Sequence, residues 1–384
     1  MKSEKSFRVR EVRFNELDRE TIKSWDSLEE RALESNAFLS PRFVIPAMRH
    51  LGNPQEVRET VFVFVEKASG RVMDLVGAGV FVQSSGKRSF PLPYLRAYRS
   101  CHSYLSGMLV DRDEAEGTVR AFFQFFCNEK APWHGVEFGH RSADSSQAEL
   151  IIAVAEEFGS TWQEQERSHR AVFVPSQGGN AYIKAECSSG YIKDLRRRRR
   201  RLEEQGKVYW RALFGSEVDD RSVDRFLEIE HMGWKGEGGT SLRSRPSHET
   251  FFREMIHGFR DVGRLFFTEL FLDDVVIASL SNLISGGAGF SFKMGWHSGY
   301  KKMAPARLNE LEFIQHAPTL CGGLSYIDSG ASEGSYIDQL WVGRRILTSG
   351  IFGTTRFGKR VLWGIDRIRR IKRWGQSYWD RCKE

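Results

Sequence analysis

One segment contains a predicted strand, then a loop of small residues and then the start of a helix. This order of elements is typical of a site that binds an anion. The segment Phe290–Leu308 reads FSFKMGWHSGYKKMAPARL, and Pro305 is typical of the first turn of a helix. The loop amides and the positive end of the helix dipole would point into one place, which suits phosphate. A plain connection with solvated lysines is the alternative. The loop residues concerned are Lys301, Lys302, Met303, Ala304, Ala306 and Arg307.

Three side chains near this segment could move protons. Asp328 ends the next predicted strand, Tyr336 follows that strand, and His297 lies in the loop itself. A carboxylate, a phenol or an imidazole could take a proton from an attacking amine or hydroxyl, or return one to a leaving group. The alternatives are an Asp328 that caps a turn beside Gly330, a Tyr336 that packs with its hydroxyl exposed, and a histidine without a role.

A Trp-Lys pair stands among glycines in the sequence GWKGEGG. Trp234 and Lys235 are therefore predicted to lie in a loop, where binding residues are common. The indole could stack on a sugar or on an adenine. The alternative is a tryptophan that anchors the domain beside a solvated lysine.

Six consecutive arginines, Arg196–Arg201, lie on the clearest predicted helix, Ser189–Gly206. Because successive helical residues turn by about 100°, the run surrounds the helix and is not expected to form one flat face for nucleic acid. Arg199 shares the apolar stripe of the helix. It should therefore pair with Glu203 or Glu204, or bind a phosphate of the substrate, since an unpaired buried charge is costly.

Positive charge is concentrated at the end of the chain. The 384 residues hold 57 Lys and Arg against 50 Asp and Glu, a net charge of +7, and residues 343–384 alone hold twelve basic and three acidic residues. Residues 356–384 alternate apolar and basic positions at helical spacing and include Trp363, which suits an anionic membrane surface. A helix packed on the body of the protein is the alternative. The near-neutral body argues against a protein that wraps nucleic acid with its whole surface.

Composition excludes several classes of protein. No run of 18 apolar residues occurs, and the N-terminus has no apolar signal-peptide core. Five scattered cysteines without C-x-x-C spacing suggest neither a zinc site nor a disulfide framework. We therefore expect a cytoplasmic protein with no metal.

The elements that position these residues repeat along the chain. A strand–turn–strand–turn–strand pattern near Thr60 recurs near Arg264, about 200 residues later, with helices between. This pattern predicts an α/β fold of two mixed units packed together. We place the first unit at residues 1–185, the second at 186–342 and a basic tail at 343–384.

Taken together, the motifs resemble GNAT acyltransferases of the CelD-like or FemAB-like branch, which has a BioF2-like acetyltransferase domain and is associated with cellulose and exopolysaccharide biosynthesis. Lys301-x-x-Ala304-x-Ala306 is similar to the family's pyrophosphate loop, Arg/Gln-x-x-Gly-x-Gly/Ala. The resemblance covers residues 30–342. The other segments that carry it are NAFLSPRFV (36–44), LEEQGKV (202–208), GWKGEGGTSL (233–242), FFREMIHGF (251–259) and YIDSGASEGSYIDQLW (326–341).

The resemblance implies a tandem GNAT fold that binds acetyl-CoA or another acyl-CoA in its second unit. The pantetheine arm would lie on the strand that holds Phe292, Met294 and Gly295, and the pyrophosphate on the loop Lys301–Arg307. The acceptor would be an amine or hydroxyl of a sugar, nucleotide-sugar or polysaccharide precursor. It would attack the thioester directly, because no cysteine or serine stands in a nucleophile motif.

The same resemblance gives roles to the remaining candidates. Asp328, Tyr336 or His297 would move protons, and Trp234, Lys235 and Arg199 would bind the acceptor. The protein would be a cytoplasmic enzyme, peripheral at the inner face of the membrane through residues 356–384.

Two other functions stay open. Ala304 replaces the central glycine of the loop, and Ile337 replaces the lysine of the family's Tyr-Lys pair, which suits a non-catalytic member of a polysaccharide-synthesis complex. A FemAB-like transfer from aminoacyl-tRNA, bound through Arg196–Arg201 and the tail, is the other.

Overall fold

The computed structural model describes residues 7–69, 72–232 and 234–367. The strands are β1 (Phe7–Val12), β2 (Thr60–Ser69), β3 (Val72–Ser84), β4 (Tyr94–Ala97), β5 (Leu109–Val110), β6 (Gly135–Ser142), β7 (Trp162–Phe173), β8 (Val208–Phe214), β9 (Leu265–Leu272), β10 (Val275–Ser285), β11 (Ala288–Trp296), β12 (Tyr326–Asp328) and β13 (Gly343–Gly353). The helices are α1 (Arg19–Glu30), α2 (Pro41–His50), α3 (Pro54–Glu59), α4 (Ala115–Phe126), α5 (Ser146–Glu157), α6 (Gly179–Glu186), α7 (Ser189–Glu203), α8 (Asp220–His231), α9 (Trp234–Glu237), α10 (Pro246–Arg260), α11 (Pro305–Cys321) and α12 (356–367).

The chain divides into two compact units. Unit 1 holds the described residues within 1–34, 53–168 and 346–384, and unit 2 holds 35–52 and 169–345. These limits differ from the predicted boundaries after residues 185 and 342, since strands β7 and β13 each contribute to both units. Strands that are far apart in sequence can pair in one sheet. A unit can therefore include segments that are not consecutive in the chain. The last residues of the predicted tail, 368–384, lie outside the described residues.

Unit 1 is a mixed sheet covered by helices. Its strands follow the order β1-β2-β3-β4-β6-β13, and only the β4–β6 pair is parallel. Helices α4 and α5 bury aromatic and aliphatic side chains against the sheet, and Phe122, Phe126 and Phe138 are fully buried there. This burial on one stripe of α4 explains why its phenylalanines recur at helical spacing.

Within unit 1, a long connection closes the sheet beside β6. Strands β4 and β6 pair only at Leu95–Val136 and Arg96–Glu137. Just beyond, Ser106 Oγ donates to the carbonyl of Gly139 (2.6 Å) and accepts from its amide (3.1 Å). The segment 98–108 therefore occupies the backbone groups of β6 at the point where β4 leaves it.

The strands of unit 2 are also mixed in direction. In their spatial order they are the end of β7, then β12, β11, β10, β9 and β8, and β11 and β12 are parallel. Helices α6, α7 and α11 pack on one face, where Leu195, Leu270 and Ile314 are fully buried. On the other face, the ring of Phe43 in α2 lies 5.8 Å from that of Phe292 in β11.

The predicted mixed α/β architecture of two units is confirmed. The strand predicted at 289–295 is β11, and the helix predicted from Pro305 is α11. Across residues 7–69, 72–232 and 234–367, no helix is both long enough and apolar enough to cross a membrane.

Candidate functional site

The site begins where two parallel strands of unit 2 separate. Strand β12 pairs with β11 only at Ala288–Tyr326, Gly289–Ile327 and Phe290–Asp328. It ends there, whereas β11 runs on to Trp296. The second half of β11 therefore has no pairing with β12, and we call this unpaired side of β11 the cleft. It is where the sequence predicts the pantetheine arm.

A bulge changes the direction of the side chains inside this cleft. Ser281 pairs with Lys293 and Asn282 pairs with Ser291, so Phe292 has no partner in β10. Ser281 Oγ holds the bulge, because it donates to the carbonyl of Lys293 (3.1 Å) and accepts from its amide (3.2 Å). The phenyl ring of Phe292 is buried among aromatic rings. Only its backbone is therefore placed to contact a cofactor.

The remaining predicted strand residues carry close contacts with α8 and α9. An added Cβ on Gly295 would lie 2.6 Å from the amide nitrogen of Glu230, so glycine lets α8 rest directly on β11. Lys235 Nζ donates to the carbonyl of Met294 (2.7 Å) and to Glu230 (3.2 Å). Burial lowers the pKa of Lys235. This ammonium is therefore bound by the protein itself, and the side chain of Trp234 lies outside the described residues.

The loop after β11 forms a 3₁₀ turn, Ser298–Met303, that leads into α11. His297 caps the turn, because its Nδ1 accepts from the amide of Gly299 (3.1 Å). Lys301 and Lys302 are exposed. Ala304 adopts a left-handed backbone (φ 52°, ψ 54°), a conformation that glycine adopts without a Cβ clash.

One backbone amide in the first turn of α11 is in a position to bind a ligand. Pro305 has no N–H, and the carbonyl of Ala304 accepts from Arg307 (3.0 Å) and Leu308 (3.2 Å). This leaves the amide of Ala306 without a hydrogen-bond partner among the described residues. The helix has no side-chain cap, so its positive end is available to an anion.

Arg307 lies between two aromatic rings. Its guanidinium carbon is 5.8 Å from the ring centre of Tyr191 in α7 and 5.6 Å from that of Tyr336. It forms no ion pair with any described carboxylate. A cation held by ring faces rather than by an acid keeps its charge for a ligand.

Tyr336 and a carboxyl missed by the sequence analysis complete the cluster. The Tyr336 hydroxyl donates to Met294 Sδ (3.4 Å), a weak acceptor, and burial, with the charge of Glu310, raises its pKa well above the usual value. Glu310 is 3% exposed, and its Oε2 has no hydrogen-bond partner among the described residues. Burial raises its pKa to about 8. The available signal was a glutamate four residues after Ala306, on the buried face of the predicted helix.

Asp328 sits in a different environment from that of Tyr336. It is 1% exposed and accepts from Arg345 (3.0 Å) and from the amide of Gly330 (2.8 Å), while Arg170 lies at 3.5 Å. The contact with Gly330 is the turn cap that the sequence left open as an alternative. Such an arrangement is typical of a structural ion pair.

The arginine run ties α7 to α11 and to the loop. Arg199 donates to Glu203 (2.9 Å), as predicted, and also pairs with Glu312 rather than Glu204. Arg198 donates to the carbonyl of Lys302. The expectation of no common face needs correction, because every third or fourth residue of a helix shares one side. The exposed residues Lys193, Arg196, Arg197 and Arg200 line one groove of about 590 Å³.

The structure thus brings Met294, Arg307 and Tyr336 together. It places Asp328, His297 and Arg199 in contacts with other parts of the protein. The catalytic and binding roles predicted for these residues stay predictions.

Residues 189–336 match the model of a family described as an acetyltransferase (GNAT) domain. This segment, which is less than half of the chain, is therefore similar to a GNAT acetyltransferase domain. The match covers α7 to Tyr336 and so includes the cleft, the loop and the Arg307 cluster. It supports the predicted acyltransferase. No significant relative is found among the curated proteins.

Solved structures share the fold at low sequence identity. FemX has a TM-score of 0.54 and 10% identity over 90% of this chain and 97% of its own. A protein of unknown function from Bacteroides thetaiotaomicron has a TM-score of 0.50 and 13% identity over 90% and 99%. A tandem GNAT protein from the clavulanic acid biosynthesis pathway has a TM-score of 0.42 and 14% sequence identity, over 90% of this chain and 97% of its own. The predicted mixed α/β fold of two units is thus shared with FemX and with the Bacteroides protein.

Glu310 should make stability fall as pH rises. Its pKa is about 8 in the folded chain and near 4.5 in the unfolded chain, so between these pH values the folded state binds the extra proton. Stability is therefore lost across this window, by on the order of 3–5 kcal/mol. Glu310→Gln cannot ionise and should lack this loss. Urea unfolding at pH 5, 6.5 and 8 measures the difference.

The exposed Glu204→Gln is the matched control and should keep the wild-type dependence on pH. A Glu310→Gln chain whose stability changes with pH as the wild type does would show that this carboxyl is already ionised in the folded state.

Proposed function

We propose that this acyltransferase uses acetyl-CoA or another acyl-CoA, and transfers the acyl group to an amine or hydroxyl of a sugar, nucleotide-sugar or polysaccharide precursor. The observation that carries the proposal is Arg307, a cation without an ion pair among the described residues, held at the first turn of α11 beside an open amide. The acceptor class rests on the sequence resemblance.

The cofactor would lie along the cleft and the loop. The pyrophosphate would take the amide of Ala306 and the guanidinium of Arg307, with Lys301 and Lys302 adding charge from the exposed turn. The pantetheine arm would follow the second half of β11, where β12 no longer pairs. This arrangement holds the thioester at the inner end of the cleft, near Met294 and Tyr336.

The transfer needs one proton to leave the acceptor and one to reach sulfur. The acceptor nitrogen or oxygen attacks the thioester carbon, the C–S bond breaks and CoA leaves as a thiolate. Tyr336, whose hydroxyl contacts Met294 of β11, would protonate that sulfur and then regain a proton from solvent. Its raised pKa favours the protonated phenol that this role needs. The proton of the acceptor leaves to solvent or to a nearby base such as His297.

Arg307→Ala should weaken binding of acetyl-CoA and CoA by about tenfold or more, the scale of a lost charge-assisted hydrogen bond. Calorimetric titration measures both ligands. Arg221→Ala, an exposed arginine of α8, is the control and should bind as the wild type does. Equal affinity of Arg307→Ala and wild type would mean that the loop is not the cofactor site. No binding by the wild type would contradict acyl-CoA as the donor.

We also propose that the C-terminal helix brings the enzyme to an anionic membrane surface. Two large apolar side chains of α12, Phe357 (55% exposed) and Trp363 (65%), support this proposal, and Arg367 stacks on the indole of Trp363.

The double variant Phe357→Ala, Trp363→Ala should lose most binding to vesicles of anionic phospholipid, measured by co-sedimentation, because two interfacial side chains are removed. Val275→Ala, which trims another exposed apolar side chain (47%) in β10, should bind as the wild type does. Wild-type protein that stays in the supernatant would contradict the membrane proposal.

Transfer from aminoacyl-tRNA is a second candidate, favoured by the cationic groove of α7. Wild-type affinity for tRNA should then fall steeply as salt increases, and the triple variant Arg196→Glu, Arg197→Glu, Arg200→Glu should bind far more weakly. Filter binding over a salt series measures this, with Arg221→Glu as the control. Binding that is equal in the triple variant, or acyl transfer that resists RNase, would favour acyl-CoA.

A further inference from the structure

Strand β8 of unit 2 has one open edge. It is the last strand in the spatial order of this unit, and it pairs with β9 and with no other described strand. All seven of its residues, VYWRALF, are partly exposed, and six of them are apolar or aromatic. An exposed edge of this composition offers a row of unpaired backbone groups to another strand.

The register of β8 identifies these backbone groups. The amide of Asp273 donates to the carbonyl of Lys207 (2.8 Å), so every second residue from Lys207 onward bonds to β9. The residues between them direct their N–H and C=O groups away from β9. Three residues of β8 therefore have outward backbone groups without a hydrogen-bond partner among the described residues: Val208, Trp210 and Ala212.

Strand β8 also lacks the charges that usually protect an open edge. Arg211 is its single charged residue, and that guanidinium is already paired with Glu269 (2.6 Å) and lies over the ring of Phe271 (4.8 Å). Strand β1 of unit 1, which is also the last strand in its order, has three charged residues among six, FRVREV. Because charged side chains on an edge strand disfavour pairing with another chain, β8 is the edge better suited to such pairing.

We propose that β8 is the interface on which two copies of this chain pair, antiparallel and about a twofold axis at Trp210. In this register Trp210 faces Trp210, and Val208 of each copy faces Ala212 of the other. The six outward groups of each copy then form six hydrogen bonds between the copies, and none is left unpaired. Phe214 stays outside the pairing, since its amide already donates to Glu217 (2.8 Å).

The side chains favour this register over the neighbouring one, whose axis lies at Arg211. There the two Arg211 guanidiniums would lie directly opposite each other, which is unfavourable, and the occupied amide of Phe214 would be needed. In the proposed register, Arg211 of each copy faces Tyr209 of the other in a pair without backbone hydrogen bonds, where side chains are closest. An arginine can stack on a tyrosine ring in that position.

The interface is independent of the proposed acyl-transfer site. Strands β9 and β10 lie between β8 and β11, so the pairing does not occupy the cleft. Variants of β8 that change dimerisation should therefore bind acetyl-CoA as the wild type does. Loss of acetyl-CoA binding in such a variant alone would show that the pairing reaches the cleft, and would overturn the interface as proposed.

Sedimentation velocity of the full chain tests the interface. The wild type should be a dimer at about 100 μM. Ala212→Pro removes an outward N–H and keeps the bonds between β8 and β9, so it should dimerise about 100-fold more weakly, because one hydrogen bond per copy is lost. Ala212→Ser keeps the N–H and should match the wild type. A monomeric wild type, or an Ala212→Pro chain that dimerises as the wild type does, would overturn the inference.

A side-chain variant keeps the inference testable if Ala212→Pro does not fold. Tyr209→Lys places an ammonium opposite Arg211 of the other copy and should weaken dimerisation about tenfold. Tyr209→Phe keeps an aromatic ring there and should dimerise as the wild type does. Equal dimerisation by Tyr209→Lys and Tyr209→Phe would overturn the inference.

Amide hydrogen exchange, resolved by residue with fragmentation mass spectrometry, locates the contact. The amides of Val208 and Trp210 should exchange at least about tenfold more slowly in the wild-type dimer than in the Ala212→Pro or Tyr209→Lys monomer. The amides of Tyr209 and Arg211 in the wild type and Ala212→Pro bond to β9 and should stay protected in both. Equal exchange at Val208 and Trp210 in dimer and monomer would place the contact elsewhere and overturn the inference.

Discussion

The buried carboxylate of Asp328 decides where β12 ends, and the cleft of unit 2 depends on that point. Arg345 and the amide of Gly330 take its oxygens, and Arg170 lies close by. Because a buried charge that loses one partner costs several kcal/mol, the strand is held strongly at this residue. The chain then turns at Gly330 and leaves the sheet, so β11 continues alone and Tyr336 returns beside Met294.

Helix α11 supplies both ends of the proposed site, and its rotation is fixed from the opposite side. Asn309 accepts from the indole of Trp210 (2.9 Å) and donates to Thr268 (2.9 Å), both in strands of the sheet. With Asn309 held in the core, Arg307 projects toward Tyr191 of α7 and Tyr336 of the turn after β12. One polar side chain thus helps to determine where the cation of the same helix lies.

Local sequence patterns predicted part of this arrangement. The proline at 305, the small residues of the loop and the alternation in β11 located the helix start, the loop and the strand from sequence. Contacts remote in sequence were beyond such patterns. Nothing near Lys235 shows that its ammonium ends on the carbonyl of Met294, and nothing near residues 35–52 shows that they pack in unit 2. Glu310 was missed because a glutamate within a predicted helix is usually solvated.

The hydroxyl of Ser106 makes unit 1 differ from unit 2 at the point where its parallel strands separate. The Ser106 side chain forms hydrogen bonds with both backbone groups of Gly139. It thereby closes the gap at the point where the parallel strands β4 and β6 separate. A ligand bound there would have to displace the segment 98–108 and would leave the N–H and C=O groups of Gly139 without their hydrogen bonds to Ser106. The two units therefore differ at this point, because the chain of unit 1 closes the gap beside β6, whereas β11 of unit 2 continues beyond its pairing with β12. The side chain that closes unit 1 belongs to one serine in a connecting segment.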